Sequence, residues 1–337
     1  MQRGFWKGRT MTIGDIAKMA NVSRAAVSRY LNKGYVSEEK RERIRKVIEE
    51  TGYQPSVLAR TLRTKKTKLI GVVLPRINSD SISGIVEGIG AVLQEAQYDM
   101  LLAATDNRPD RELDFLRIFA NNRVDGIILI ATVFTGEHER ILSEMQIPVV
   151  IVGQKLTGFT SIFHDDYGAG LALTQHLLET GRREIGFIRA LPEDVAVGQQ
   201  RFKGYRDAME AAGIAVRDGM YTVADFSVSS GYEKFSALIR TYPEMDAVIC
   251  ATDRIALGAI NYIKEQGLSV PENIAAAGFG DNVITAYTTP PITTVHLHYR
   301  ESGEVAADRM LKLLSGNTSP AEQEVCLGYE LVLRGSG

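Results

Sequence analysis

The sequence predicts an α/β protein in two parts: an N-terminal all-α region carrying a helix-turn-helix, then a body of two doubly wound α/β lobes. Three observations carry this expectation. Residues 1–68 hold 17 Lys and Arg against 6 Asp and Glu, a net of +11, whereas the remainder holds 22 against 35, a net of −13. Up to Lys68 the apolar residues are sparse and helically spaced; from Leu69 onward, continuous apolar runs of strand length alternate with amphipathic stretches. A length of 337 residues with 45% hydrophobic residues supports two or three units and a sizeable interior.

In "TIGDIAKMA", Ile13, Ile16, Ala17 and Ala20 share one face, and Thr12 with Asp15 three residues on forms a capping pattern. "NVS" breaks the period, and Ser23 is placed to cap a second short helix, "RAAVSRYLN", with Val27, Tyr30 and Leu31 facing inward. Ser37 is placed to cap "EEKRERIRKVIEETG", which buries Ile44, Val47 and Ile48 and stops at Gly52. Pro55 opens a further short helix in which Leu58 and Leu62 recur at i, i+4. It is too short to hold alone in water, and Lys65, Lys66 and Lys68 follow it, so it reads as a linker that orders only against a partner.

The body's strand-like runs include "KLIGVVLP", "DMLLAAT", "DGIILIAT", "PVVIVG", "EIGFIRA", "DAVICAT" and "IAAAGFG". Amphipathic stretches such as "SGIVEGIGAVLQEAQ" and "ALGAINYIKEQG" separate them. Continuous apolar strands between helices indicate parallel sheets covered on both faces. Two sets of such units, roughly 69–165 and 166–295, are expected to form the two lobes.

Several classes of function are disfavoured. No apolar run approaches the ~18 residues of a membrane helix, and "MQRGFWKGRT" lacks the apolar stretch of a secretory signal, so a soluble, cytoplasmic protein is expected. Cys250 and Cys326 give neither a disulfide framework nor a zinc spacing, and Cys250, within "DAVICAT", reads as an inert core residue. There is no Walker loop, G-x-S-x-G or H-E-x-x-H, and "GIVEGIG" lies in a helical pattern. His296 and His298 share a strand face without a third ligand and read as a packed or solvated pair; Asp165 and Asp166 read as a helix start. No catalytic residue, cofactor or metal is expected.

A basic head on an acidic body is the electrostatic footprint of a nucleic-acid binder, although a solvated basic face carries the same charge. The second short helix sharpens the choice. A helix entering the major groove must approach base edges closely, and Ala25 and Ala26 permit that. Arg24 at its N-terminus presents a fork of donors suited to guanine. Ser23 and Ser28 suit phosphate, and Arg29 suits phosphate or base. The bland alternative is an Ala-rich amphipathic helix with no target.

"TIGDIAKMANVSRAAVSRYLN" followed by "VSEEKRERIRKVIEETGYQPSVLARTLRTKKTKLIGVVLP" resembles the LacI/GalR family of bacterial repressors, and the resemblance extends over essentially the whole chain after Thr10. It implies a DNA-binding helix-turn-helix over 11–54, a hinge helix and linker over 55–67, and a two-lobed effector-binding and dimerisation body of the type I periplasmic-binding-protein kind over 68–337. The family usually has Thr where this chain has Ala26, which removes one expected contact. Met11 is the usual start. By position in "ARTL", Leu62 is the hinge leucine that wedges into the central minor-groove step and kinks the DNA; packing between hinge helices is the alternative.

The resemblance also places a ligand between the lobes, near the C-terminal ends of the strands. Arg201 in "QQRFKGYRDAM" matches the arginine that holds effector hydroxyls in the family, against a surface arginine at a helix start. Thr252 and Asp253 stand where the family has Asn-Asp, and Asp253 is equally read as a helix cap. In "GFGD", Gly280 replaces the first of two acidic residues and Asp281 keeps the second. Phe226 in "ADFSVSSG" matches an aromatic that stacks on sugar, against a buried loop aromatic. Phe163 after "TSI" and Asp106 in "AATDN" complete the candidates, Phe163 more as core than as contact.

The expected protein is a homodimeric, non-enzymatic transcriptional repressor of a sugar-utilisation operon that binds a palindromic operator under control of a small carbohydrate. Release by the sugar is favoured over recruitment, and "PPITTVHLHYRESG" with "GFGD" hints at sucrose or a related saccharide. The alternative is a sugar-binding receptor that feeds a transporter, against which the basic head argues.

Overall fold

Thr12 and Asp15 cap the first helix reciprocally: the Asp15 amide donates to Thr12 Oγ1 at 3.3 Å and the Thr12 amide donates to Asp15 Oδ2 at 3.0 Å. This opens α1 (Ile13–Met19) in a computed structural model that describes residues 11–32, 34–53, 66–121, 124–317 and 323–337. The chain divides into two units at Thr67 and Lys68. Asn21 turns the chain with φ 50°, a left-handed conformation that Asn tolerates. Ser23 Oγ then accepts from the Ala26 amide at 3.2 Å and starts α2 (Arg24–Leu31). Ser37 stands at the N-cap of α3 (Glu38–Thr51) but its side chain makes no cap bond, and Gly52, at φ 62°, ends that helix.

Ile16, Val27 and Ile44 are fully buried where the three helices meet, with Ala17, Ala20, Ala26, Val36, Val47 and Tyr53 around them. Each buried aliphatic side chain of this kind contributes about 1.5–3 kcal/mol. Leu62 and most of the expected hinge lie outside the described residues.

In the second unit the apolar runs form two six-stranded sheets. The first contains β1 (Leu69–Leu74), β2 (Asp99–Ala104), β3 (Gly126–Ile130), β4 (Val149–Val152) and β5 (Thr160–His164). The second contains β6 (Ile185–Arg189), β7 (Tyr221–Val223), β8 (Ala247–Cys250), β9 (Ala275–Phe279) and β10 (Thr293–Leu297). Two late strands, β11 (Glu324–Leu327) and β12 (Tyr329–Val332), complete them. The orders are β11-β5-β4-β3-β1-β2 and β12-β10-β9-β8-β6-β7. Every pairing is parallel except that of β10 with β12.

Helices α4 (Asp80–Glu95), α5 (Pro109–Asn121) and α6 (Gly136–Glu144) cover the first sheet. The second is covered by α7 (Asp166–Glu179), α8 (Arg201–Ala211), α9 (Val228–Thr241) and α10 (Asp253–Glu265). A six-residue π-helix, Val195–Gln200, leads into α8.

The lobe boundaries differ from the simple halves that the alternation suggests. After β10 the chain returns to the first lobe as α11 (Tyr299–Ser315), whose Ala306, Ala307 and Met310 join the core of Ile70, Ile89, Ile128 and Val150. It then adds β11 to the first sheet and β12 to the second, so it passes between the lobes three times, at 164–166, 297–299 and 327–329. Periodicity reports the type of an element, not the sheet it joins. Cys250 is fully buried in β8, and burial pushes its thiol up.

The return of α11 depends on a close helix crossing. Gly303 lies against the Ile85 backbone and Gly88 against that of Arg300, so that a Cβ on Gly303 would overlap the Ile85 carbonyl oxygen. Gly303→Ala is therefore expected to cost about 1–3 kcal/mol through overpacking, read as a lower thermal midpoint by circular dichroism. An unchanged midpoint would mean that the two helices separate at no cost.

Candidate functional site

In the first unit, α2 turns Val27 and Ala26 into the core and leaves Arg24, Ala25 and Arg29 exposed, with Ser28 half-buried. Helical spacing puts Ala25, Ser28 and Arg29 on the outward face. The expectation for Ala26 is corrected: at 9% exposure it packs inward and cannot approach a base edge. The Ser23 hydroxyl already accepts from the Ala26 amide. Beside Arg24 runs a shallow groove to which Lys18, Asn21 and Lys40 also contribute. Lys18 and Lys40 were missed because their approach depends on how α1 and α3 pack.

In the second unit, the strands' C-terminal ends face one another across an open-mouthed cleft. The first lobe contributes the Pro75–Ser81 segment after β1, Asn107 after β2, Ala131 and Thr132 after β3, and His164 at the end of β5. The second contributes Asp194 and Val197 after β6, Arg201, Phe226 after β7, Thr252 and Arg254 after β8, and Phe279, Gly280 and Asn282 at the end of β9. Apolar walls of Ile82, Ile85 and Ile130 complete it.

Arg201 is 3% exposed. Its Nε donates to Asp166 Oδ1 at 2.7 Å, its Nη1 donates to the Ala251 carbonyl at 2.7 Å, and its guanidinium lies 4.8 Å from the Phe279 ring centre. Burial is the largest single influence and opposes its charge, but Asp166 and Tyr299 together outweigh burial and hold the guanidinium ionised. The placement is tight: Gly170 of α7 lies directly under the Arg201 backbone, where a Cβ would overlap its carbonyl. Asp165 caps α7 by accepting from the Gly168 amide at 2.8 Å, which sets Asp166 at the first helical position.

Contacts across the mouth join the lobes. The Arg76 guanidinium stands 4.4 Å from the Phe226 ring centre, Arg254 Nη1 donates to the Asn78 carbonyl at 3.1 Å, and Gln154 Nε2 donates to Asp194 Oδ1 at 3.2 Å. Gln154 also donates to the Thr132 carbonyl. Asp194 is 5% exposed, and its Oδ1 also accepts from the Val197 amide at 3.0 Å. Burial pushes its carboxyl up to about 6.

Of the effector candidates, Arg201, Phe226 and Thr252 reach the cleft wall, where Thr252 also caps α10. Four do not. Asp106 has φ 56°, faces solvent and pairs with Arg111 at 3.1 Å, while its neighbour Asn107 lines the cleft. Phe163 does not line the cleft; it lies in an adjoining groove with Leu156 and Cys326, which His164 also borders. Asp253 is 1% exposed and sits behind the wall, accepting from Thr294 Oγ1 at 2.5 Å and the Asn282 amide at 2.9 Å. It thereby fixes the turn that lines the cleft, and burial raises its carboxyl to about 6. Asp281, at φ 52°, turns away to pair with Arg334 at 2.6 Å and His296 at 3.1 Å.

His296 and His298 pack edge to face with ring centres 5.0 Å apart. Among the described residues no cluster of three His, Cys, Asp or Glu forms a metal site, and no helix is long and apolar enough to cross a membrane. Sequence reasoning missed Arg76, Gln154, His164, Asp194 and Arg254. The available signal was the last residue of each strand and the first few after it.

A helix-turn-helix and a two-lobed ligand cleft in one chain define a ligand-responsive DNA-binding regulator. Comparisons with known proteins give the family. The model for bacterial regulatory proteins of the lacI family matches residues 12–56, and that for the periplasmic binding protein-like domain matches 174–337. The sucrose operon repressor of Staphylococcus xylosus is 33% identical over 318 residues, covering 94% of this chain and 98% of that protein. The solved complex of the transcriptional regulator CelR with cellobiose is 29% identical, has a TM-score of 0.75, and covers 97% of this chain and 100% of its own. The lac repressor dimer bound to operator and the anti-inducer ONPF shares the fold at a TM-score of 0.89 and 23% identity, covering 97% of this chain and 99% of its own. The chain belongs to the LacI family of bacterial regulatory proteins.

The raised carboxyl of Asp194 gives a test of the cleft's electrostatics. Its folded pKa, about 6, lies above its unfolded value, so the protonated form favours the fold. That contribution is complete below about pH 4 and is lost as pH rises through about 6. Asp194→Asn keeps an acceptor for Gln154 and Val197 while removing the charge. Its stability advantage over the parent is expected to grow by about 2 kcal/mol between pH 4.5 and 7.5, measured by urea denaturation. A pH-independent difference would place an ordinary carboxylate at this position.

Proposed function

We infer that this protein is a cytoplasmic, homodimeric transcriptional repressor of sugar-utilisation genes, whose grip on a roughly palindromic operator is set by a small carbohydrate in the cleft. The cleft carries the reading: Arg201, locked by Asp166 against the Phe279 ring, and Phe226 under Arg76 on the same wall offer cationic donors and aromatic faces, the pairing that hydroxyl-rich rings require. The exposed face of Arg24, Ala25 and Arg29 supports the DNA half. The names of two relatives, a sucrose operon repressor and a regulator solved with cellobiose, support the sugar half.

The mechanism is linkage. A ligand that prefers one lobe arrangement shifts the population toward it, and its effect on operator affinity equals the operator's effect on ligand affinity. Release by the sugar is the favoured direction. Leu62 remains the proposed minor-groove wedge.

Operator selection from random duplexes, followed by gel shifts with sucrose, cellobiose and a wider sugar panel, tests this reading. A selected palindrome released by one sugar is expected; binding that ignores both duplex sequence and every sugar overturns it. Arg24→Ala is expected to weaken the selected site by about 1–3 kcal/mol and relax its base preference; an unchanged selected motif removes Arg24 from base readout. Phe226→Ala is a cleaner cleft test than Arg201→Ala, because removing Arg201 strands the buried Asp166 charge at a cost of about 3–5 kcal/mol. It is expected to raise the releasing sugar concentration roughly tenfold, read in the same gel shift.

A further inference from the structure

Arg76 is a cation of the cleft whose donors the chain leaves unused. It follows β1 on the first lobe, is half-buried, and lines both the cleft and its mouth. Its Nε is buried with no hydrogen-bond partner, and its two Nη groups, which reach accessible surface, donate to no acceptor among the described residues. The Phe226 ring, 4.4 Å from its guanidinium carbon, steadies the plane without taking a donor. Arg254, at the start of α10 on the second lobe, lines the same mouth. It uses Nη1 on the Asn78 carbonyl at 3.1 Å and leaves its Nε and Nη2 open. Burial, and then the charge of Arg254, hold Arg76 below the ordinary guanidinium range, and Asp225 offsets them only in part.

The carboxylates of the cleft are engaged elsewhere. Asp166 is bound to Arg201, Asp194 accepts from Gln154 and Val197, and Asp225 accepts from the Ser227 amide at 2.7 Å. Asp80 opens α4 at the surface. Among the described residues none of them forms an ion pair with Arg76 or Arg254. Two guanidiniums that share an opening, repel each other and keep donors open are an arrangement that folding alone does not favour. A planar fork of unused N–H groups fits the oxygens of a phosphoryl or carboxylate group, which takes two parallel bonds. A neutral hydroxyl fills a donor but leaves the repulsion in place. Because the two arginines come from different lobes, an anion held by both also ties the lobes together across the mouth.

We propose that Arg76 and Arg254 form an oxyanion subsite at the mouth, and that the carbohydrate effector is therefore an acidic one, carrying a phosphoryl or carboxylate group on a sugar held deeper in the cleft. This rests on the carbohydrate reading of the cleft and narrows it. The neutral sugar is then the weaker ligand, and the charged form is the one that shifts the lobe equilibrium.

The test uses the full chain and calorimetry. Glucose, sucrose and cellobiose are the neutral probes, their 6-phosphates are the phosphoryl arm, and glucuronate is the carboxylate arm. At least one acidic sugar is expected to bind the parent roughly 10- to 100-fold more tightly than its neutral form, with the advantage shrinking as salt rises. The arm that shows it identifies the acid. Arg76→Gln and Arg254→Gln are each expected to bring the ratio of acidic to neutral affinity close to one, and Arg76→Lys to keep part of it, with charge but no fork. Neutral forms that bind the parent as tightly as the acidic ones overturn the subsite and leave the carbohydrate reading intact. A preference for the acid that survives in both glutamine variants places the anion elsewhere and overturns the subsite too. Failure of every sugar, neutral or acidic, to bind removes both.

Discussion

The buried pair of Arg201 and Asp166 is the constraint on which the cleft depends. A guanidinium at 3% exposure persists only where its charge is matched and its donors are used. Asp166 supplies the charge and the Ala251 carbonyl takes a second donor. The neighbourhood is built to hold that geometry. The glycine-lined contact of α7 with α8 brings the two residues together, the Asp165 cap fixes where Asp166 begins, and Phe279 closes over the guanidinium. The pair's value lies in rigidity, because an Arg already locked presents its remaining surface to a ligand with little further loss of conformational freedom.

The contacts across the mouth have the opposite character. Arg76 over Phe226, Arg254 on the Asn78 carbonyl and Gln154 on Asp194 each contribute about 0.5–2 kcal/mol. They hold the lobes together without fixing them. A ligand that favours either arrangement by a few kcal/mol shifts the balance. A rigid floor under a loosely tied mouth is the division of labour that a ligand-controlled equilibrium needs.

The architecture was largely legible because it is written in local chemistry. Apolar runs such as "KLIGVVLP" became strands, and Thr12, Ser23 and Gly52 bounded their helices as their side chains or backbone freedom dictate. The site was less legible, and the misses share one physical cause. Beyond a strand's end, consecutive residues at positive φ swing successive positions apart: in the pairs Asp106–Asn107 and Gly280–Asp281, all at positive φ, Asn107 and Gly280 line the cleft while Asp106 and Asp281 do not. Phe163 borders only the groove beside the cleft, whereas its neighbour His164 at the end of β5 borders both. Ala26 was missed for the helical counterpart of this reason, one position of rotation around α2. The destination of α11 and β11 was hidden because lobe membership is a long-range property that no window of sequence reports.

The three passages between lobes carry a consequence for how this chain is made. The first sheet lacks its outer strand, and its core lacks Ala306, Ala307 and Met310, until the segment that follows the whole second lobe has been synthesised. On the ribosome the nascent first lobe therefore waits with an apolar seam open, in the state that recruits chaperones. Its closure is among the last folding events, and it locks both lobes into a single inheritance: neither is a module that recombination can lift out with its neighbour left whole.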